Sequence, residues 1–226
     1  MESPILLPKL RKAFQQVGDP VRAPVMQAYM KSVMPYHGVP TPLLRRVCKT
    51  TFADVQFSTA SHWRSQVLDI WRNASFREER YAALYLAGDK RGRPFQTPSA
   101  MKVYEELIVT GAWWDYVDEL AHRVGDLLLS WPAEVCPALL TWTRSDDRWL
   151  RRASIICQLG TRDRADVELL TTAIESAISD SDFFLRKAIG WALRDYARTD
   201  PAWVRSFAET HELSPLSRRE ALKHLS

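Results

Sequence analysis

Slid along itself by about 35 residues, the sequence superposes four short segments, at 79–84, 114–119, 149–154 and 184–189. Trp114, Trp149 and Phe184 open three of them and Glu79 the fourth, while Ala83, Ala153 and Ala188 share one register. A regular period in this range points to a stack of like units, each able to bury its apolar face only against its neighbours. A small residue at a shared register lets equivalent helices approach to about 8–10 Å. The third unit breaks the pattern, because Asp118 stands where its three counterparts are alanine.

Apolar residues recur at three- and four-residue intervals over 21–33, 61–72, 77–87, 100–108, 114–129, 149–159, 167–179, 183–197 and 201–210, which predicts helices there. Thr41-Pro42, Thr97-Pro98 and Asp200-Pro201 have the form of a cap followed by proline at the first helical position. Alternating Val, Ile and Thr between Asn-Gly or Asp-Gly turns is missing, and eight glycines leave little room for hairpins. The expected fold class is all-α, an α-solenoid of HEAT-like helical repeats. One domain is expected over 1–226, with basic N-terminal helices in 1–50 and repeats of about 35 residues from about 75 onward.

Composition removes several classes of function. With 46% hydrophobic and 26% charged residues, an ordered chain is expected and a long disordered tail is not. No run approaches the roughly 20 apolar residues of a membrane helix. Met1-Glu2-Ser3-Pro4 lacks the basic start of a secretory signal and Pro8 interrupts the apolar stretch behind it, so a cytoplasmic location is expected. Cys48, Cys136 and Cys157 are too scattered for a disulfide framework or zinc knuckle and read as reduced core thiols. The five histidines, His37, His62, His122, His211 and His224, show no metal-ligand spacing, and no phosphate-cradling glycine loop occurs.

Charge is unevenly placed. The net +4 is concentrated in residues 1–50, which hold eight Lys or Arg against Glu2 and Asp19 and leave 23 basic against 25 acidic residues in the rest. This suits a surface that tracks phosphates as well as it suits an ordinary solvated face.

A carboxylate in the close-packed register of a stacked helix is costly if buried without partners, so Asp118 is either turned to solvent or placed for a purpose. Trp114 lies four residues before it on the same helical face, Trp191 lies three past the equivalent alanine of the last unit, and Arg152 just precedes that register in the following unit. Spacing alone leaves both readings open, since aromatic residues at helical intervals also serve as core. His122, four residues after Asp118, suits a supporting partner or a plain surface position.

The segment Glu106-Leu-Ile-Val-Thr-Gly-Ala-Trp-Trp-Asp-Tyr-Val-Asp118 resembles the signature of the DNA alkylation repair (AlkD-type) glycosylase family, a Trp-Trp-Asp-x-Val-Asp run. Tyr29-Met30-Lys31, Ser145-Asp-Asp-Arg-Trp-Leu-Arg-Arg-Ala153, Lys187-Ala-Ile-Gly-Trp-Ala-Leu-Arg-Asp-Tyr-Ala197 and Leu216-Ser-Arg-Arg-Glu-Ala-Leu-Lys-His-Leu225 are similar to further family segments in the same order. The resemblance covers nearly the whole chain. It implies a concave DNA-binding face, Asp118 as the catalytic carboxylate, Trp114 and Trp191 as aromatic walls, and Arg152 as a DNA contact near the lesion. Tyr29, Arg148, Lys187 and Arg194 are implied as further DNA contacts. The implied partner is double-stranded DNA containing alkylated bases, met by a monomer without cofactor or metal. Some branches of the same superfamily lack the aspartate or the tryptophans and bind DNA without excision; this sequence keeps all four positions. The run 89–95 is more basic than the family pattern, and suits either a phosphate contact or a solvated loop.

The implied reaction is hydrolysis of the N-glycosidic bond of purines alkylated at N3 or N7, without flipping the base. Such a purine is already cationic and leaves as a neutral base, so no general acid is required. The difficulty is positive charge growing on the deoxyribose, which a fixed anion relieves. Asp118 can also orient the attacking water, and the sequence does not separate the two roles. A Schiff-base lyase would call for a lysine beside Asp118, and none lies between Lys102 and the end of that helix. Two other classes remain open: a non-catalytic repeat protein that binds damaged or branched DNA, and a helical scaffold for protein partners.

Overall fold

The computed structural model describes residues 6–225, so the Met1 to Pro4 stretch discussed above lies outside it. Every regular element among the described residues is helical, and none is long and apolar enough to cross a membrane. Contacts divide the chain into two compact units, Met1–Gln96 and Thr97–Ser226.

The first unit holds α1 (Leu6–Val17), α2 (Arg22–Tyr29), α3 (Thr41–Thr51), α4 (Ala60–Arg72) and α5 (Arg77–Ala87), closed by a 3-10 turn over Lys90–Phe95. Leu6, Leu10 and Phe14 fall on one face of α1 and are buried against α3 and α5. The helix expected over 21–33 is shorter, ending at Tyr29 as Lys31 turns left-handed at φ 50°. Met30 is buried, but the apolar stripe of Val21, Val25, Tyr29 and Val33 is strongly exposed. In the 89–95 run, Arg91 is internal: it pairs with Asp89 at 2.7 Å and donates to the carbonyls of Phe52 and Ala53.

Two consecutive carboxylates organise this unit. Glu78, fully buried, accepts the backbone N–H groups of His37, Gly38 and Val39 at 2.9–3.0 Å, which fixes the loop before α3. Glu79 accepts from Arg11 Nε at 2.7 Å and the Ser75 N–H at 2.6 Å, with His37 Nε2 3.5 Å away. Burial pulls the Glu79 pKa upward, but the nearby His37 ring and the hydrogen bonds from Arg11 and Ser75 outweigh it and hold the group at about 2. A carboxyl depressed in this way stabilises the fold above its unfolded value near ~4.3 and loses that contribution as pH falls toward the folded value. Glu79→Gln is therefore expected to be less stable by about 3 kcal/mol at pH 7, with the gap closing between about pH 4.5 and 2. Urea unfolding across that range checks this, and a gap independent of pH would exclude the charge as its source.

The second unit holds α6 (Met101–Gly111), α7 (Trp114–Ser130), α8 (Pro132–Thr143), α9 (Arg148–Ile156), α10 (Val167–Glu175), α11 (Phe183–Tyr196), α12 (Pro201–Thr210) and α13 (Pro215–Ala221). The repeat segments fall on α5, α7, α9 and α11, each separated from the next by one helix, so a unit of about 35 residues is a helix pair. Within this unit α7, α9, α11 and α13 pack successively side by side, and α6, α8, α10 and α12 back them. Ala153 and Ala188 are fully buried as the shared register requires. Gly125 allows α7 to meet the end of α9 backbone to backbone: a Cβ there would lie 2.0 Å from the Cys157 carbonyl oxygen. Cys157 and Cys48 are buried thiols, each pushed up to about 12 by burial, whereas Cys136 is half-buried.

Candidate functional site

The helix carrying Asp118 begins differently from its equivalents. Asp147 caps α9 by accepting from the N–H groups of Trp149 and Leu150 at 2.8 and 3.0 Å, and Asp182 caps α11 through Phe184 and Leu185 at 2.7 and 3.1 Å. The corresponding residue of the third repeat is Ala112, which is left-handed (φ 44°) and closes α6, so the cap moves one residue on, to Trp113. Trp113 packs against Trp149 and Phe184, with ring centroids 6.2 and 5.8 Å away, and those two rings lie 5.0 Å apart. Trp113 thus joins the ring cluster while itself staying half-buried. Trp114 is left half-buried, one turn ahead of Asp118 on the same face of α7.

Asp118 is held by Arg152 of α9. Nε donates to Oδ1 at 2.8 Å and Nη2 to Oδ2 at 2.9 Å, while Nη1 donates to the Phe184 carbonyl at 2.6 Å. The planar fork of a guanidinium matches a carboxylate in this geometry, which fixes orientation as well as position. Arg152 has 2% of its side chain exposed, but Asp118 keeps 21%. The result is an anion with both oxygens anchored from within the protein and one side still open to a ligand. Sequence reading cast Arg152 as a DNA contact; burial and internal bonding leave its guanidinium almost no surface to offer a phosphate.

Trp191 of α11 lies beside this pair, with the Arg152 Cζ 5.3 Å and the Lys187 Nζ 5.8 Å from its ring centroid. Lys187 and Arg194 stand two turns apart on α11 and both bond Glu220 of α13, at 2.7 and 2.5 Å. Their hydrogen bonds hold the Glu220 carboxyl below its usual range against the opposing effect of burial. Arg148, half-exposed, reaches Asp182 at 3.1 Å. These three cations, expected as DNA contacts, therefore each have a carboxylate partner in the protein. Tyr29, the remaining expected contact, lies in the first unit and is 78% exposed. His122 is exposed. Among the described residues no group of three His, Cys, Asp or Glu side chains is arranged to hold a metal ion.

Asp118, Arg152 and Trp191 lie together, and Trp114 lies on the same helical face as Asp118. Trp113 and Glu220 were missed. The first had a signal in the doubled tryptophan, while the second had none that spacing could supply.

The sequence matches the profile of the family described as DNA alkylation repair enzyme over residues 10–225. The chain belongs to that family. No curated protein gives a significant match to this family member. Among solved structures, the repair-family chain is similar to a protein from Enterococcus faecalis described as a "predicted DNA alkylation repair enzyme", with 27% identity and a TM-score of 0.84 over 92% of this chain and 97% of that one. AlkD2 from Streptococcus mutans shares the fold at 16% identity and a TM-score of 0.59, over 82% and 90% of the two chains. The alkylpurine DNA glycosylase AlkC from Pseudomonas fluorescens, bound to DNA containing an abasic site analog, aligns over 97% of this chain and 62% of its own at 18% identity, with a TM-score of 0.46.

Proposed function

We propose that this DNA alkylation repair protein is a monofunctional glycosylase that hydrolyses the N-glycosidic bond of N3- and N7-alkylated purines in duplex DNA. One observation carries the reading: the carboxylate that replaces a buried alanine of the repeat is gripped from behind by Arg152 and remains open on its other side.

In this reading the lesion settles with its sugar beside Asp118. The bond between C1′ and the base nitrogen breaks with its electron pair going to the base, which departs neutral, and the deoxyribose takes up the positive charge. Asp118 stabilises that charge, and water adds to C1′, forming the C1′–O bond and releasing a proton. Trp114 and Trp191 hold the cationic nucleoside by cation–π contact worth about 0.5–2 kcal/mol each. Arg152 is a positioning residue that keeps the carboxylate aimed. Selection among lesions then follows charge, and an enclosed base-reading pocket is not needed.

The test is mass spectrometry of bases released from duplex DNA carrying 7-methylguanine, 3-methyladenine, ethenoadenine or uracil. The two cationic purines are expected to be released and the two neutral bases to be retained. Comparable release of uracil or ethenoadenine would refute selection by charge. Duplex binding without release of any base would identify a non-catalytic DNA binder instead.

A further inference from the structure

Glu220 is a charged group beside Trp191 to which the proposed reaction gives no task. Its side chain, 13% exposed on α13, bridges Lys187 and Arg194. Those cations are seven residues apart on α11, so they share a face with Trp191 between them. α13 comes this close because residue 190 is glycine: a Cβ there would meet the Glu220 Cβ at 2.4 Å and the Ser217 carbonyl at 3.0 Å. The Ser217 hydroxyl adds a bond to the Arg186 carbonyl at 2.9 Å. The bridge is therefore built into the contact between two helices and is not a chance meeting of long side chains.

An oxyanion that takes one donor from a lysine and one from an arginine does what a DNA phosphate would do at the same place. We propose that Glu220 is an internal substitute for a backbone phosphate: a positioning residue that withholds Lys187 and Arg194 from DNA and halves the net positive charge around Trp191. The inference rests on the glycosylase reading for its purpose. A cationic purine at Trp191 meets Arg152, Lys187 and Arg194, opposed by Asp118 and Glu220, a net single positive charge. Loss of Glu220 doubles that charge. At an effective dielectric near 20, one uncompensated cation roughly 6–8 Å from a cationic base weakens its binding by roughly 30- to 100-fold. Withholding the two cations also limits binding to undamaged DNA, because each cation placed on a phosphate adds about 0.9 to the salt exponent of binding.

The experiment is the salt dependence of binding to an undamaged duplex between 50 and 200 mM NaCl, for wild type, Glu220→Gln and Glu220→Asp. Glu220→Gln is expected to steepen the slope of log K against log salt by about 1–2, so that its added affinity at low salt falls about tenfold across the range. Glu220→Asp keeps the charge and is expected to stay near wild type. A carboxylate that only clamps α13 onto α11 would give a lower Tm with an unchanged slope, which overturns the proposal. Lys187→Met/Arg194→Met serves even if Glu220→Gln does not fold. Its slope is expected within about 0.3 of wild type, and a slope shallower by 1–2 would show that both cations already bind phosphate. Preference for a 7-methylguanine duplex over an undamaged one is expected to fall at least roughly tenfold in Glu220→Gln, and an unchanged preference would refute the claim about charge. A wild type that binds duplex but releases no base would end the glycosylase reading, while the slopes still judge Glu220 separately.

Discussion

Asp118→Asn is expected to slow release of 7-methylguanine from duplex DNA by about a thousandfold, with little change in affinity for the undamaged duplex. Opposite unit charges about 4 Å apart at an effective dielectric near 20 attract by roughly 4 kcal/mol, and the sugar carries its charge mainly in the transition state. Arg152 does not weaken this expectation. Its guanidinium lies behind the carboxylate, so a sugar about 4 Å from Asp118 would be about 8 Å from Arg152 and be repelled by about 2 kcal/mol whether or not Asp118 is charged. Removing the carboxylate alone leaves that repulsion unopposed. Asp118→Asn/Arg152→Met, which removes both, should then lose only roughly 30-fold in single-turnover rate, provided the helices hold their places. A double variant slower than Asp118→Asn would mean that Arg152 acts by more than aiming its partner.

The second large effect concerns stability. Arg152→Met is expected to cost about 3 kcal/mol, or roughly 6–12 °C in Tm. The side chain is 2% exposed and bonds both oxygens of Asp118 and the Phe184 carbonyl, so its removal orphans a carboxylate and a carbonyl together. The estimate sits at the low end for a broken buried pair because Asp118, 21% exposed, regains some water. Asp118→Leu/Arg152→Met should recover most of the loss, since an apolar pair of suitable volume leaves no charge unpaired. Calorimetry on the three proteins checks the order. A double variant no more stable than Arg152→Met would place the cost in packing around Trp191, where the guanidinium also lies.

Much of this was legible because helix packing writes its periods into the chain. The shared alanines at 83, 153 and 188 marked the close-packed register, and Asp118 stood out by violating it. What pattern cannot convey is which apolar stripe finds a cover. Val21, Val25, Tyr29 and Val33 repeat every four residues like a core face, yet they are exposed. α8 was overlooked because Pro137 interrupts its interior, although its ends are tied into the fold by α7, α9 and α10. Within the site, the one-residue slip that makes Trp113 the cap of α7 and packs it against Trp149 and Phe184 follows from the left-handed turn at Ala112, a residue type that gives no warning of it. Arg148, Lys187 and Arg194 were recognisable as cations, but their partners were not: Asp182 lies one repeat beyond Arg148 and reads as a cap, and Glu220 comes from a helix contact that the repeat register does not mark.

Gly125 has a consequence for what the enzyme can accommodate. Two turns beyond Asp118, the main chains of α7 and α9 touch with no side chain between them whose rotamer can change. The gauge between the acid and its arginine is thus set by bare peptide against bare peptide, which neither warming nor a tightly held duplex can readily ease apart. In the proposed reaction, a lesion of unusual bulk would find its room by displacing the nucleic acid and not by parting these two helices.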